Sequence, residues 1–312
     1  MATGTIARVR ARAVRPTGTA IATLAAMAGW IALAWPHVAP DDDWQAMSLP
    51  SDNAAPGSSA SSSGSRASVA EYRIGGYGGA SYTHPSVVTI RNDAGTDMTV
   101  SGFDWIGRPF KAPIYYGARI QRLPTGAGLG TMLDFTHDKA IARDESVARF
   151  TGTRNGQPVA PSARIEDVFR HLEFSHGHNM LTLNGLWRMP KLGAGFRPYA
   201  GAGAGVSLPH TEVAFKGDNV RTYEYQFAGF VGQALAGIEI PLGRVSLFLE
   251  YKFTYAPYRV PLSHEPYGWL LVTDVWRQFR AWAAGEAPPG GWLGTTLAGH
   301  HGIGGMMIRV SR

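Results

Sequence analysis

Hydrophobic and polar residues alternate along most of the chain after residue 70, with the two-residue period of a β-strand. The alternation is clearest at 245–258, where Leu247 and Leu249 share one parity while Glu250 and Lys252 share the other. It predicts one apolar and one polar face for each strand. Eight such runs can be drawn, at residues 72–88, 110–123, 128–142, 178–189, 197–213, 225–241, 245–258 and 295–310.

The connections between these runs alternate between tight and long. The tight ones lie at 124–127, 191–195 and 242–244, and the long ones at 89–109, 143–175, 214–224 and 258–294. Bacterial outer-membrane barrels sort their connections in this way, with short periplasmic turns and long extracellular loops. The pattern therefore predicts an all-β fold over residues 71–312, an eight-stranded antiparallel transmembrane β-barrel in the bacterial outer membrane. We expect it to be a monomer.

Two segments in the long loops have helical rather than strand periodicity. A short helix is expected at 162–172. Another is expected at 268–285, where four aromatic residues follow helical spacing and two arginines lie between them. This pattern predicts a short amphipathic helix in the last loop, either lying in the membrane interface or capping the barrel mouth. The side chains expected there to contact a lipid substrate are Trp269, Trp276, Arg277 and Arg280.

The N-terminal part of the chain has a different composition. Four arginines between residues 8 and 15 precede an apolar stretch at 19–35. This arrangement predicts a signal peptide within residues 1–40, or alternatively an uncleaved anchor. Residues 41–70 are rich in Ser, Ala and Pro and are expected to form a disordered linker.

The composition limits which chemistry and which binding partners the protein can have. The chain has no cysteine, which excludes disulfides, a thiol nucleophile and thiolate metal sites. Its net charge of +6 suits an anionic partner. We expect a phosphorylated lipid rather than nucleic acid, because no basic helix or RNA-binding motif is present. Side chains fill the interior of an eight-stranded barrel, so activity is expected at the extracellular rim or on the lipid-facing wall.

Histidines and carboxylates concentrate near the predicted upper ends of the strands. In HLEFSHGHN, His176 and His178 are two residues apart, which on a strand places both imidazoles on one face. They could share a divalent metal ion with a carboxylate, or they could belong to salt-bridge networks. Ser175 beside His176 raises the possibility of an esterase, although the two side chains are expected to point to opposite faces.

Several separated motifs resemble the lipid A oxidase family of outer-membrane barrels. They are YGGASYTHPS, PIYYGARI, LDFTHDKA, HLEF with LTLN, FRPYAGAGAGVSLPHTEV and FLEYKFTY. The resemblance implies oxidation of the proximal glucosamine of lipid A to 2-aminogluconate, with molecular oxygen as co-substrate and a divalent metal ion as cofactor. The candidate catalytic residues, chosen because they lie in matching motifs at the rim, are Asp134, His137, Asp138, Glu173, His210 and Glu212.

The chain departs from the family pattern in two places. Residues 258–294 resemble an insertion, and the last run ends in MMIRVSR rather than in an aromatic residue. The expected partners are lipopolysaccharide, the membrane and the outer-membrane assembly machinery, which reads the last strand of such barrels. Two alternatives to an oxidase remain. One is a non-enzymatic barrel that stabilises the envelope or adheres to surfaces, and the other is a lipid A acyl hydrolase or acyltransferase.

Overall fold

The structure is a computed structural model that describes residues 70–193, 195–263, 271–288 and 290–311. The predictions for residues 1–69 and for Trp269 lie outside these described residues. The elements in chain order are β1 (Ala70–Thr83), β2 (Val88–Asn92), β3 (Asp97–Ser101), β4 (Trp105–Ile106), β5 (Tyr116–Pro124), β6 (Gly128–Ala142), β7 (Val147–Arg154), β8 (Gln157–Pro158), β9 (Ser162–Arg164), α1 (Ile165–Val168), β10 (Phe169–Arg188), β11 (Arg197–Ser207), β12 (His210–Phe215), β13 (Thr222–Tyr225), β14 (Gly229–Leu242), β15 (Val245–Pro261), α2 (Leu271–Ala283) and β16 (Gly291–Ser311).

Eight long strands form a closed antiparallel ring. Their order is β1, β5, β6, β10, β11, β14, β15 and β16, and β16 pairs back onto β1. Ring closure leaves neither of these two strands with a free edge along the paired length. The tight connections join β5 to β6, β10 to β11 and β14 to β15, as predicted, and all three lie at the same end of the ring. No helix among the described residues is long and apolar enough to cross a membrane.

The two faces of the ring strands differ as the alternation predicts. Leu133 and Leu183 are exposed on the outer face, and Leu249 is 63% exposed. The intervening Asp134 and Lys252 point into the ring and are fully buried. The outer face is therefore apolar and the interior is polar, which reverses the arrangement of an ordinary water-soluble protein.

Charged side chains fill the middle of the ring. Lys252 Nζ donates to Asp134 Oδ2 at 2.6 Å, and Arg119 Nε donates to Asp134 Oδ1 at 3.0 Å. Arg119 also donates to both oxygens of Glu250, at 2.8 and 3.0 Å, and Tyr199 Oη donates to Glu250 at 2.8 Å. Each of these buried charges thus has an opposite charge in direct contact, which is the condition for burying it at tolerable cost.

Apolar side chains fill the ring interior at the end with the long connections. Phe174, Tyr258 and Leu293 from ring strands pack there with Ile90 and Phe150 from the short strands β2 and β7. The long connections are therefore more ordered than expected, because β2, β3 and β7 extend the sheet beyond β16. The ring interior is therefore polar in the middle and apolar at this end.

Two sequence predictions need correction here. The helix expected at 162–172 is reduced to the single turn of α1, because β10 already begins at Phe169 and pairs with β12. The run expected at 197–213 is two strands, β11 and β12. Both pair with β10, but the partner on the other side is β14 for β11 and β13 for β12. The helix expected in the last loop is present as α2.

The glycines of β11 let this strand approach β10 closely. A Cβ added to Gly205 would lie 1.8 Å from the carbonyl oxygen of Leu181. Gly205→Ala is therefore expected to force the two backbones apart and to lower the free energy of unfolding by about 1–3 kcal/mol. Urea unfolding followed by tryptophan fluorescence measures this loss. Gly302→Ala on β16 is the matched control, because a Cβ there meets nothing within 4 Å, and equal losses for the two variants would contradict the prediction.

Candidate functional site

Two carboxylates and a histidine meet on the outer face of the ring at the end with the long connections. Leu172 and Phe174 of β10 enter the apolar interior. Alternation therefore places His171 and Glu173 on the opposite, outer face. Glu212 of β12 pairs directly with Glu173 across the two strands. The sheet register thus brings the three side chains together.

The three side chains are close enough to share one ligand. His171 Nδ1 lies 2.8 Å from Glu173 Oε1 and 3.1 Å from Glu212 Oε1. One ligand atom from each of the three residues lies within 4.8 Å of the other two. The Glu212 side chain is only 3% exposed, whereas that of His171 is 33% exposed. A buried carboxylate therefore lies behind a histidine that solvent can reach.

A bulge in β10 adds further groups to this site. The register against β6 shifts between Phe174 and His178, and Gly177 has a φ of +141°. The bulge turns His176 outward, with its Nδ1 3.7 Å from Glu212 Oε2. Arg221, which precedes β13, donates to Glu212 Oε1. We call His171, Glu173, His176, Glu212 and Arg221 the outer-wall cluster.

Aromatic rings surround one side of the outer-wall cluster. The ring of His210 lies 5.0 Å from that of His176, 4.5 Å from that of Tyr223 and 4.8 Å from that of Tyr225. Tyr225 Oη also donates to the carbonyl oxygen of His176 at 3.5 Å. Burial, with a smaller contribution from His176, lowers the pKa of His210 to about 4. The His210 ring is therefore uncharged at neutral pH.

The outer face below the cluster carries a second polar layer and then apolar residues. His137 of β6 stacks on Tyr116 with the ring centroids 4.7 Å apart, and its Nδ1 lies 2.8 Å from Asn179 Oδ1. Two residues further along β10 the outward side chain is Leu181, and the next is the exposed Leu183. The outer-wall cluster thus lies on the same face as the exposed apolar residues, displaced toward the long connections.

The predicted site residues divide into two groups. Glu173, His210 and Glu212 come together with His176 in or beside the outer-wall cluster, and His137 lies on the same face. Asp134 does not join them, because it is fully buried inside the ring with Lys252 and Arg119. Asp138 also points inward, where it accepts a hydrogen bond from Ser81 at 2.7 Å. These two aspartates belong to the interior network rather than to a rim site.

The expectation that His176 and His178 share a face is wrong. His178 points into the ring and contacts Tyr258 Oη, whereas His176 faces outward. The bulge between them breaks the strand alternation on which the prediction relied. It also brings Ser175 Oγ within 3.3 Å of His176 Nδ1, so these neighbours do not point apart as expected.

The sequence patterns missed the contributions of Arg221, Tyr223 and Tyr225. All three lie in or beside the connection expected at 214–224, where no periodicity marks a function. The one available signal is that Tyr223 and Tyr225 are two residues apart, as are His210 and Glu212, their partners across β12 and β13. Recognising it requires knowing that this connection is a hairpin.

Helix α2 lies against the outer face of β14. Phe279 packs on Phe227 with ring centroids 5.2 Å apart, and Trp282 packs on Phe230 at 5.1 Å. Gln278 Oε1 accepts a hydrogen bond from the backbone N–H of Phe227 at 2.8 Å. Of the predicted lipid contacts, Trp276, Arg277 and Arg280 are all exposed. The helix therefore presents cations and one tryptophan to its surroundings while its other aromatic residues anchor it.

Trp282→Ala is expected to loosen α2 from the ring. The loss of its contacts with Phe227 and Phe230 should lower the free energy of opening the helix by about 1.4 kcal/mol or more. Amide exchange within the helix should therefore become roughly tenfold faster. Hydrogen–deuterium exchange read by mass spectrometry measures this rise. Trp276→Ala is the control, because Trp276 is 57% exposed and should change exchange much less. A greater effect for the control would contradict this packing.

Comparison with known proteins adds no family to this description. No protein-family model matches the sequence, and no curated protein matches it.

Proposed function

We propose that this chain is an outer-membrane β-barrel enzyme that oxidises the proximal glucosamine of lipid A to 2-aminogluconate with molecular oxygen. The resemblance in sequence motifs suggests the reaction. The position of the outer-wall cluster is the observation that carries the proposal, because a lipid headgroup in the outer leaflet meets the wall of a barrel rather than its interior.

The distribution of side chains supports the membrane assignment. A closed ring pairs the backbone of every strand, and an apolar outer face with a polar interior suits hydrocarbon outside. The exposed apolar side chains of the ring strands include Ile74, Ile120, Leu133, Leu183, Trp187, Leu247, Leu249 and Ile308. So many exposed apolar side chains on one face are unusual for a monomer in water.

The residues of the outer-wall cluster fit a divalent metal ion. Imidazole and carboxylate ligands suit first-row divalent metals. One imidazole and two carboxylates, from His171, Glu173 and Glu212, present ligand atoms within 4.8 Å of one another. His176 lies beside these three residues, with its Nδ1 3.7 Å from Glu212 Oε2, and is left as the base. A bound ion would supply Lewis acidity and a position for molecular oxygen. Arg221, which contacts Glu212, offsets the negative charge of the two carboxylates when no metal is bound.

The proposed reaction requires a residue that accepts a proton from the sugar. It removes one hydrogen atom from C1 of the 1-dephosphorylated glucosamine and one from the C1 hydroxyl group, and it reduces molecular oxygen to hydrogen peroxide. The resulting lactone takes up water, so the lipid gains one oxygen atom overall. We assign the hydroxyl proton to His176, whose side chain is 45% exposed and whose Nδ1 faces the buried Glu212. The Glu212 carboxylate stabilises the imidazolium that forms.

Helix α2 is suited to hold the same lipid at the interface. Its exposed Arg277 and Arg280 can pair with lipid phosphates, and Trp276 belongs to the residue type enriched where hydrocarbon meets headgroups. The Trp269 contact expected from the sequence stays a prediction.

A lipid acyl hydrolase is the second candidate, and one observation favours it. Ser175 Oγ lies 3.3 Å from His176 Nδ1 and 3.4 Å from Glu212 Oε2. A nucleophilic serine, however, needs a base whose other ring nitrogen contacts the acid. Here the serine and the carboxylate both approach Nδ1 of His176. This arrangement is less suited to hydrolysis than to the proton transfer proposed above.

One incubation separates the alternatives. The purified protein in detergent micelles is mixed with 1-dephosphorylated lipid A under air, and the lipid is analysed by mass spectrometry. The proposal expects a product heavier by one oxygen atom, formed neither without oxygen nor after chelator treatment. Released fatty acid would instead identify a hydrolase. An unchanged lipid would reject the proposal and favour a non-enzymatic barrel.

A further inference from the structure

A pair of histidines bridges the first and last strands of the ring on its outer face. His84 directly follows β1, and His300 lies on β16. Their Nε2 atoms are 2.8 Å apart. The backbone N–H of His84 donates to the carbonyl oxygen of Ala298 at 2.9 Å, which fixes the chain where it leaves β1. The two imidazoles are therefore brought together by strand pairing rather than by a flexible loop alone.

Neighbouring side chains hold the orientation of His300. Tyr251 Oη lies 2.5 Å from His300 Nδ1. The ring of Tyr82 stacks on that of His300, and Phe253 packs at 5.2 Å from it. A hydrogen bond at Nδ1 selects the tautomer and leaves Nε2 to face a partner, as second-sphere groups do for histidines that bind metals. The pair is also accessible, because His84 is exposed and His300 is half-buried.

We infer that His84 and His300 bind a divalent first-row transition metal ion, of the kind represented by Zn²⁺, through their two Nε2 atoms. Zinc–nitrogen bonds of about 2.0–2.1 Å in a tetrahedral site place two ligand nitrogens roughly 3.3 Å apart. The observed separation of 2.8 Å must therefore open by only about 0.5 Å. His84 lies outside the regular strand, which permits that change. Because His84 follows β1 at the end of the ring with the long connections, water can complete the coordination.

The location of this site suggests what a bound ion does. His84 is the first residue after β1, and His300 lies on the strand that closes the ring against β1. An ion held by both residues ties these two strands together. Since the two ligands meet only in the folded chain, binding stabilises the closed ring by a free energy that grows with the logarithm of the free metal concentration. The site shares no residue with the outer-wall cluster.

Calorimetric titration of the tag-free protein in detergent micelles with Zn²⁺ tests the inference. The double variant His84→Asn and His300→Asn is expected to lose one equivalent of bound zinc relative to the unsubstituted chain. Tyr251→Phe should retain that equivalent with an affinity about tenfold weaker. Tyr82→Phe is the control, because it keeps the stacked ring and removes a hydroxyl that makes no contact with either Nε2 atom, and it should bind zinc like the unsubstituted chain.

Two further measurements keep this test separate from the proposed enzyme activity. Thermal unfolding with and without Zn²⁺ should show a stabilisation that the double variant lacks. A variant carrying His171→Asn and Glu212→Gln should keep the zinc equivalent assigned to His84 and His300, whether or not the protein oxidises lipid A. Equal zinc stoichiometry and affinity in the double variant and the unsubstituted chain would overturn the inference.

Discussion

Glu212→Gln is expected to lower the rate of the proposed lipid A oxidation by at least about 100-fold while the protein still folds. The Glu212 carboxylate contacts His171, Arg221 and, at 3.7 Å, His176, so one substitution weakens the proposed metal site and the proposed base together. Glutamine has the same shape but carries no charge. The measurement is the initial rate of product formation by mass spectrometry, with folding checked by the mobility of unheated protein on a denaturing gel.

The matched control is Glu166→Gln at the same end of the ring. Glu166 lies on α1 and pairs with Arg164, and its side chain is 39% exposed. Because it contacts no member of the outer-wall cluster, its loss should leave the rate within about twofold of the original, as surface substitutions usually do. If Glu212→Gln retained more than a tenth of the activity, the cluster would not be the reaction site.

Lys252→Met is expected to lower the free energy of unfolding by about 3–5 kcal/mol. Lys252 Nζ donates to Asp134 Oδ2, Tyr77 Oη and Thr136 Oγ1 in a part of the ring from which water is excluded. Methionine fills most of the volume but leaves Asp134 with Arg119 as its one remaining cationic partner. The interior then carries an excess negative charge. Urea unfolding in lipid vesicles, followed by tryptophan fluorescence, measures the loss.

Two further variants test whether the loss of stability comes from the loss of charge pairing. Lys216→Met removes an exposed lysine that donates to the carbonyl oxygen of Glu166, and it should change the free energy of unfolding by less than about 0.5 kcal/mol. Adding Asp134→Asn to Lys252→Met removes the unbalanced charge and should recover part of the lost stability. No recovery in the double variant would show that the loss comes from packing instead.

The ring could be predicted from the sequence because strand alternation is a local signal. Leu133 and Leu249 are exposed while Asp134 and Glu250 are buried, as their parity indicates, and β6 has the predicted bounds. Tight turns are similarly local, since few residues connect the paired strands. Which side chains meet inside the ring is set by register between strands distant in sequence. The contact of Arg119 with Glu250 across the interior is therefore beyond any local pattern.

The candidate site could be predicted only in part, for the same physical reason. Glu173, His210 and Glu212 were expected near the rim, and pairing of β10 with β12 brings them together. The bulge that separates His176 from His178 leaves no clear mark in the sequence beyond Gly177, whose φ of +141° favours glycine. Arg221 contacts Glu212 because the turn between β12 and β13 brings the two residues together.

Under the proposed function, the outward position of the outer-wall cluster has a kinetic consequence. A substrate that arrives from the side diffuses within a two-dimensional leaflet, so its supply depends on its mole fraction among neighbouring lipids. Diluting lipid A with an inert lipid should therefore slow turnover even when the total amount of lipid A in the sample stays constant.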